Sequence, residues 1–141
     1  MELSQLVGLS VLVAVLGVGL AVMLWAYEGA GSQAILFESP VEHRPLADDV
    51  APVFHRGCEE FRAGDYRKAA NTFAGCLASN PNLAEAYHNR GLAFANLRQD
   101  DDAVEDLLLA GDRYGKEDRP AELAAVKQAL AAIKARKDEN T

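Results

Sequence analysis

The chain has 141 residues, with 14 Lys and Arg against 21 Asp and Glu for a net charge of -7; that length suits one compact domain and excludes a large multidomain enzyme. An acidic balance repels phosphate backbones, which are bound by Lys and Arg displacing counterions, so no nucleic-acid partner is expected. Two cysteines, Cys58 and Cys76, stand in no CxxC spacing and carry neither a disulfide framework nor a zinc or haem signature.

The first element is apolar. From Leu3 to Tyr27 the chain runs 25 positions without a charge, and a helix of that length rises about 37 Å, enough to cross a bilayer core of ~30 Å with some tilt. Trp25 and Tyr27 close the run, where amphipathic rings favour the headgroup region. A cleaved signal peptide fits less well, because the leading Met1-Glu2 is not basic and the apolar core is too long, although residues 32–34 read SQA. Residues 1–27 are therefore expected to form a transmembrane anchor. Arg44 is the one basic residue near the span, so charge bias does not set its orientation. Ser10, Ala14, Gly17 and Ala21 recur at helical spacing and offer a small-residue face on which a partner transmembrane helix could pack.

Residues 28–49 form a linker with Pro40, Pro45, Gly29 and Gly31 and a net charge of -4; prolines stiffen such a spacer. Ile35, Leu36 and Phe37 interrupt its polarity. They lie at the membrane interface, are tolerated in water, or dock on the folded domain.

Beyond the linker the sequence repeats with a period of 34. Arg56, Gly57 and Ala69 recur as Arg90, Gly91 and Ala103, and Phe73 aligns with Leu107. Each unit reads as two helices. Residues 53–62 and 67–79 flank Ala63-Gly64-Asp65-Tyr66, with Asp65 as capping acid, and Asn80-Pro81-Asn82 stops the pair. Residues 83–97 and 101–113 flank Arg98-Gln99-Asp100, and Tyr114-Gly115 is expected to end the last helix. Pro120 opens a final helix to about Lys137 with Leu123, Val126, Leu130 and Ile133 on one stripe and Lys127, Lys134 and Arg136 on other faces.

These stretches, FHRGCEEFRAGDYRKAANTFAGCLASNPN and AYHNRGLAFANLRQDDDAVEDLLLAG, resemble the tetratricopeptide repeat (TPR) family. Gly57 and Gly91 hold its small position in the first helix, Ala69 and Ala103 that of the second, and Phe73 and Leu107 the large one. Arg56, Arg90, Glu60 and Gly115 depart from the pattern. The fold expected is all-α: one N-terminal transmembrane helix, two TPR helix-turn-helix repeats over 50–83 and 84–117, a capping helix over 118–137 and a tail over 138–141, together a short α-solenoid. Two repeats and a cap fall short of the three repeats usually needed for stability, so a further element is expected to help.

The resemblance also implies a concave groove for a protein partner, a peptide or a helix. The family's groove positions fall on Phe54, Cys58, Phe61 and Arg62 in the first repeat and on Glu85, His88, Leu92, Ala95 and Asn96 in the second. Asn89 matches one asparagine of the family's carboxylate clamp, but Phe54 and Cys58 replace its lysine and other asparagine, so that clamp is not expected. Phe54, Phe61 and Leu92 make the groove partly apolar, suited to an amphipathic helix or an extended apolar segment, or else are covered by the chain's own linker.

Neither a phosphate loop nor a nucleophile elbow is present, and Asp100-Asp101-Asp102 lacks the spacing of a calcium loop and reads as a solvated helix start. His55, Cys58 and Cys76 could be grouped as ligands, but Cys76 is displaced along the hairpin, so no metal site, disulfide, catalytic residue or cofactor is expected. The function expected is a non-enzymatic, membrane-anchored TPR adaptor in assembly or biogenesis of a membrane complex. The alternative is a small structural subunit held in a larger complex by its transmembrane helix.

Overall fold

A computed structural model describes residues 2–29, 34–42 and 45–141; on the first helix the side chains at 4, 6, 9, 12, 21, 22 and 24–29 also lie outside that description. The described residues form six helices and no strand: α1 Leu3–Gly29, α2 Ala51–Arg62, α3 Tyr66–Ser79, α4 Ala84–Asn96, α5 Asp100–Lys116 and α6 Pro120–Glu139. They divide into two units, Met1–Ala34 and Ile35–Thr141.

The first unit is α1. Its described apolar side chains, among them Val7, Val11, Leu16 and Leu20, are exposed on all sides. The expected anchor gains no support of its own here: among the described residues no helix is long and apolar enough to cross a membrane. The side chains of Ala21, Trp25 and Tyr27, and residues Gly31, Ser32 and Arg44 altogether, lie outside the described residues.

In the second unit, short turns join α2 to α3 and α4 to α5, and each helix packs on the next. The small positions explain how closely. A Cβ on Gly57 would stand 2.7 Å from the Phe73 ring, and one on Gly91 would stand 3.0 Å from Leu107 and 3.2 Å from the Ala103 carbonyl oxygen. The same pair of positions thus makes the same contact in both hairpins, 34 residues apart. The turns repeat too, since Gly64 and Arg98 both take positive φ (81° and 64°) and end their helices in the left-handed conformation. α4 also touches both α2 and α6, whereas α3 and α5 do not touch. The stack therefore curves with α2, α4 and α6 on its inner face.

Ion pairs fasten the stack where apolar area is short. Arg90, one of the departures from the repeat pattern, donates twice to Asp106 (2.6 and 2.7 Å) and lies over the rings of Tyr87 and Phe94. Arg119, in the turn before α6, reaches Glu85 on α4 (2.6 Å), Glu117 and Glu122, and covers the Tyr114 ring at 4.7 Å.

Local expectations need correction at four places. α5 runs through Gly115 to Lys116, because Tyr114 is fully buried and the chain must pass it before Asp118 (φ 53°) turns Arg119 back over the ring. Asp65 stands at the N-cap of α3 but makes no capping bond; its carboxylate faces Lys68 at 3.7 Å. Arg136 is buried rather than on an outer face, donating to the Ala95 carbonyl oxygen and to Asp100. Asp100 is consequently part of the joint between α5 and α6, not merely a solvated helix start.

Candidate partner-binding groove

α4 presents the groove. Asn89 and Asn96 lie seven residues apart on it, two helical turns and about 10.5 Å along the axis. Residues 35–42, which form neither helix nor strand, cross this face as a strap. Asn96 Oδ1 accepts from the backbone N–H groups of Leu36 (3.1 Å) and Phe37 (3.0 Å), while Asn96 Nδ2 donates to the Phe37 carbonyl oxygen (2.7 Å). Asn89 repeats the arrangement at Val41, accepting from its N–H (2.7 Å) and donating to its carbonyl oxygen (2.9 Å). Its amide also points at Cys58 Sγ, 3.7 Å away on α2. Arg62 pairs with Glu42. Each carboxamide supplies both a donor and an acceptor, which suits a backbone whose own amide and carbonyl are unpaired.

Leu36, Phe37, Val41 and Leu46 pack against the core of the unit. Of the three readings open for the apolar residues of the linker, docking on the folded domain is the one found for Leu36 and Phe37; Ile35 remains 55% exposed. Beside the strap an open trough of about 350 Å³ continues toward α6, lined by Phe37, Val41, His88, Leu92, Ala125 and Ala129.

The residues assigned to the groove from sequence separate into two sets. Asn89, Asn96 and Arg62 meet the strap, and His88 and Leu92 line the trough. Phe54 and Phe61 are buried, Phe54 against the Phe73 ring (5.5 Å) and Phe61 against Tyr66 (5.0 Å), so they belong to the packing of the first hairpin. Glu85 and Ala95 are fully buried as well. Val41 was not legible as a contact residue; its one sequence signal is an aliphatic side chain after Pro40 in a polar stretch.

Burial sets the electrostatics beneath the groove. It pushes the Cys58 thiol up to about 12, with Cys76 and Glu59 adding in the same direction, and it raises Cys76 too. Both are free thiols. His88 is buried with its Nδ1 3.4 Å from the Tyr114 hydroxyl, and desolvation raises that phenol above its ordinary range. Burial works against the Arg119 charge, but hydrogen bonds to Glu85 and Glu122 outweigh it. Among the described residues no group of three His, Cys, Asp or Glu is placed to hold a metal ion.

On α1, Ser10 and Ala14 are exposed, Ser10 Oγ donates to the Val7 carbonyl oxygen (2.8 Å), and a Cβ on Gly17 would meet nothing within 4 Å. Comparison of the chain with protein-family models, with curated proteins and with solved structures finds no match.

Proposed function

We propose that the protein is a single-pass, membrane-anchored adaptor of the TPR type, without catalysis, that holds a protein partner on the face formed by α2, α4 and α6 during assembly or biogenesis of a membrane complex. The observation that carries this reading is the pair Asn89 and Asn96, whose carboxamides engage a peptide backbone across that face. Support for the repeat type comes from the 34-residue spacing of Gly57 and Gly91 and of their contacts with Phe73 and Leu107. The anchor rests on the 25 uncharged positions from Leu3 to Tyr27 and on the exposed apolar side chains of α1, which water does not favour as a continuous surface.

A second reading, a structural subunit held by α1, is favoured by the open face of Ser10, Ala14 and Gly17. Copurification from detergent followed by mass spectrometry separates the two. Retention of the partner by residues 35–141 supports the adaptor, with Asn96→Ala weakening it at least tenfold. Retention that needs the native α1, and is lost when Gly17 becomes leucine, supports the subunit and overturns the adaptor.

A further inference from the structure

We propose that the ligand of this groove is an extended peptide of the pattern apolar, aromatic, three unread residues, aliphatic, acidic, and that residues 36–42, Leu-Phe-Glu-Ser-Pro-Val-Glu, are a built-in copy of it which the partner displaces. The inference rests on the groove reading above and adds the chemistry of the occupant.

The backbone contacts decide between a peptide and a helix. An α-helix keeps its interior N–H and C=O groups bonded to one another, so it has nothing to offer a carboxamide that needs both a donor and an acceptor. An extended strand does. Four residue steps, from Phe37 to Val41, span the two turns between Asn96 and Asn89, about 2.6 Å per residue, well above the helical rise of 1.5 Å and within the reach of an extended chain. The direction is fixed as well: the ligand runs antiparallel to α4, with its Phe37 position at Asn96 and its Val41 position at Asn89.

Side chains give the pattern. Leu36, Phe37 and Val41 face the core, Glu38 and Ser39 are exposed, and Glu42 meets Arg62. The fit is incomplete at one place. The open trough of about 350 Å³ between Val41, Leu92 and Ala129 is left unfilled by valine, and each further buried methylene there adds favourable transfer energy. A partner with a larger aliphatic residue at that position outcompetes the strap. The strap has the advantage of being tethered, which gives it an effective concentration in the millimolar range. Together the two terms make the groove closed to weak ligands and open to a better-fitting one.

The test uses the full chain in detergent and fluorescence anisotropy of a labelled synthetic peptide matching residues 34–42. Silencing the strap by Phe37→Asp with Val41→Asp should tighten binding of the peptide at least tenfold relative to the unaltered chain. A peptide with leucine at the Val41 position should bind about threefold tighter again. Adding Asn96→Ala to the silenced strap should abolish binding, with circular dichroism reporting that the helices persist. A silenced chain that keeps its helices but ignores both peptides, or binds a scrambled peptide equally, overturns the proposal. Energy transfer between differently labelled copies that disappears with Phe37→Asp also overturns it, because the occupant is then a second copy. Partner capture that persists while the peptide fails would reject this pattern and leave the adaptor standing; peptide binding without any partner would do the reverse.

Discussion

Gly57 and Gly91 bring the second helix of each hairpin closer than any side chain would allow, and the two sites differ in what stands in the way. At Gly57 the obstacle is the buried Phe73 ring, itself fixed against Phe54. Gly57→Ala should therefore cost about 1–2 kcal/mol in urea unfolding, the overpacking strain exceeding the gain in helix propensity. Gly115, where a Cβ would meet nothing within 4 Å, should behave oppositely, and Gly115→Ala should stabilise by roughly 0.5–1 kcal/mol. These small and large positions were readable from the repeat. The inward turn of Phe54 and Phe61 was not, because periodicity places a residue on a face without saying whether a ring leans into its own hairpin or out to a ligand. Cys58 shows a similar limit, since only burial distinguishes an inert thiol from a reactive one. Its raised pKa means the folded chain keeps a proton that the unfolded chain releases above about pH 9. Its contribution to stability is thus complete below that pH and is lost as pH rises toward 12. Urea midpoints measured from pH 7 to 11 should fall at the alkaline end, and less steeply in Cys58→Ala; Cys76 and Tyr114, also raised, add to the slope in the same direction.

At the scale of elements, the joint between α6 and the rest is the place where charge substitutes for apolar area. Val126, Ala129 and Ile133 are buried, but Leu123 and Leu130 only partly so, and Arg119 and Arg136 tie the two ends of α6 to α4 and α5. Glu85 is fully buried, so removing the Arg119 cation takes a charge-compensating partner from a carboxylate in a poorly solvating site. Arg119→Met should destabilise the chain by about 3 kcal/mol. Adding Glu85→Gln should recover much of that, because a neutral pair carries no desolvation penalty; an Arg119→Met chain as stable in urea as the unaltered one would show the ion pair to be idle. The helix stops tell the same story from the sequence side. Asn80-Pro81-Asn82 stops α3 where expected, with Asn80 Oδ1 accepting from the Asn82 amide at 3.2 Å. Gly115 did not stop α5, because the tertiary contact of Tyr114 with Arg119 outweighs the roughly 1 kcal/mol that glycine costs inside a helix.

For the whole molecule, the charge distribution separates an N-terminal run uncharged from Leu3 to Tyr27 from a unit whose acidity is confined to the strap region and to residues 84–115, which carry -4. The linker was legible as a composition break, yet composition could not show that residues 35–42 belong to the folded unit; that depends on Asn89 and Asn96, two polar residues 48 to 60 positions away. The anchor is the part that sequence alone argues, and it yields a quantitative test. Between Leu3 and Tyr27 stand thirteen Leu and Val residues, each contributing about -0.3 to -0.6 kcal/mol to insertion, or roughly -4 to -8 kcal/mol together before the glycines and polar residues subtract. One lysine at the centre costs about 2.5–3.5 kcal/mol and weakens insertion, whereas two cost about 5–7 kcal/mol and use up the surplus left after the glycines and polar residues are counted. The unaltered chain should therefore float with lipid vesicles in a sucrose gradient and resist alkaline carbonate. Val15→Lys should divide between the vesicle and soluble fractions, and Val11→Lys with Val18→Lys should stay with the soluble fraction. Because the groove residues are all in the second unit, the doubly substituted chain should still bind the strap peptide once Phe37 and Val41 are silenced. A double-lysine chain that floats as well as the unaltered one would mean that something other than the apolar run holds the protein to lipid, and the anchor would have to be abandoned.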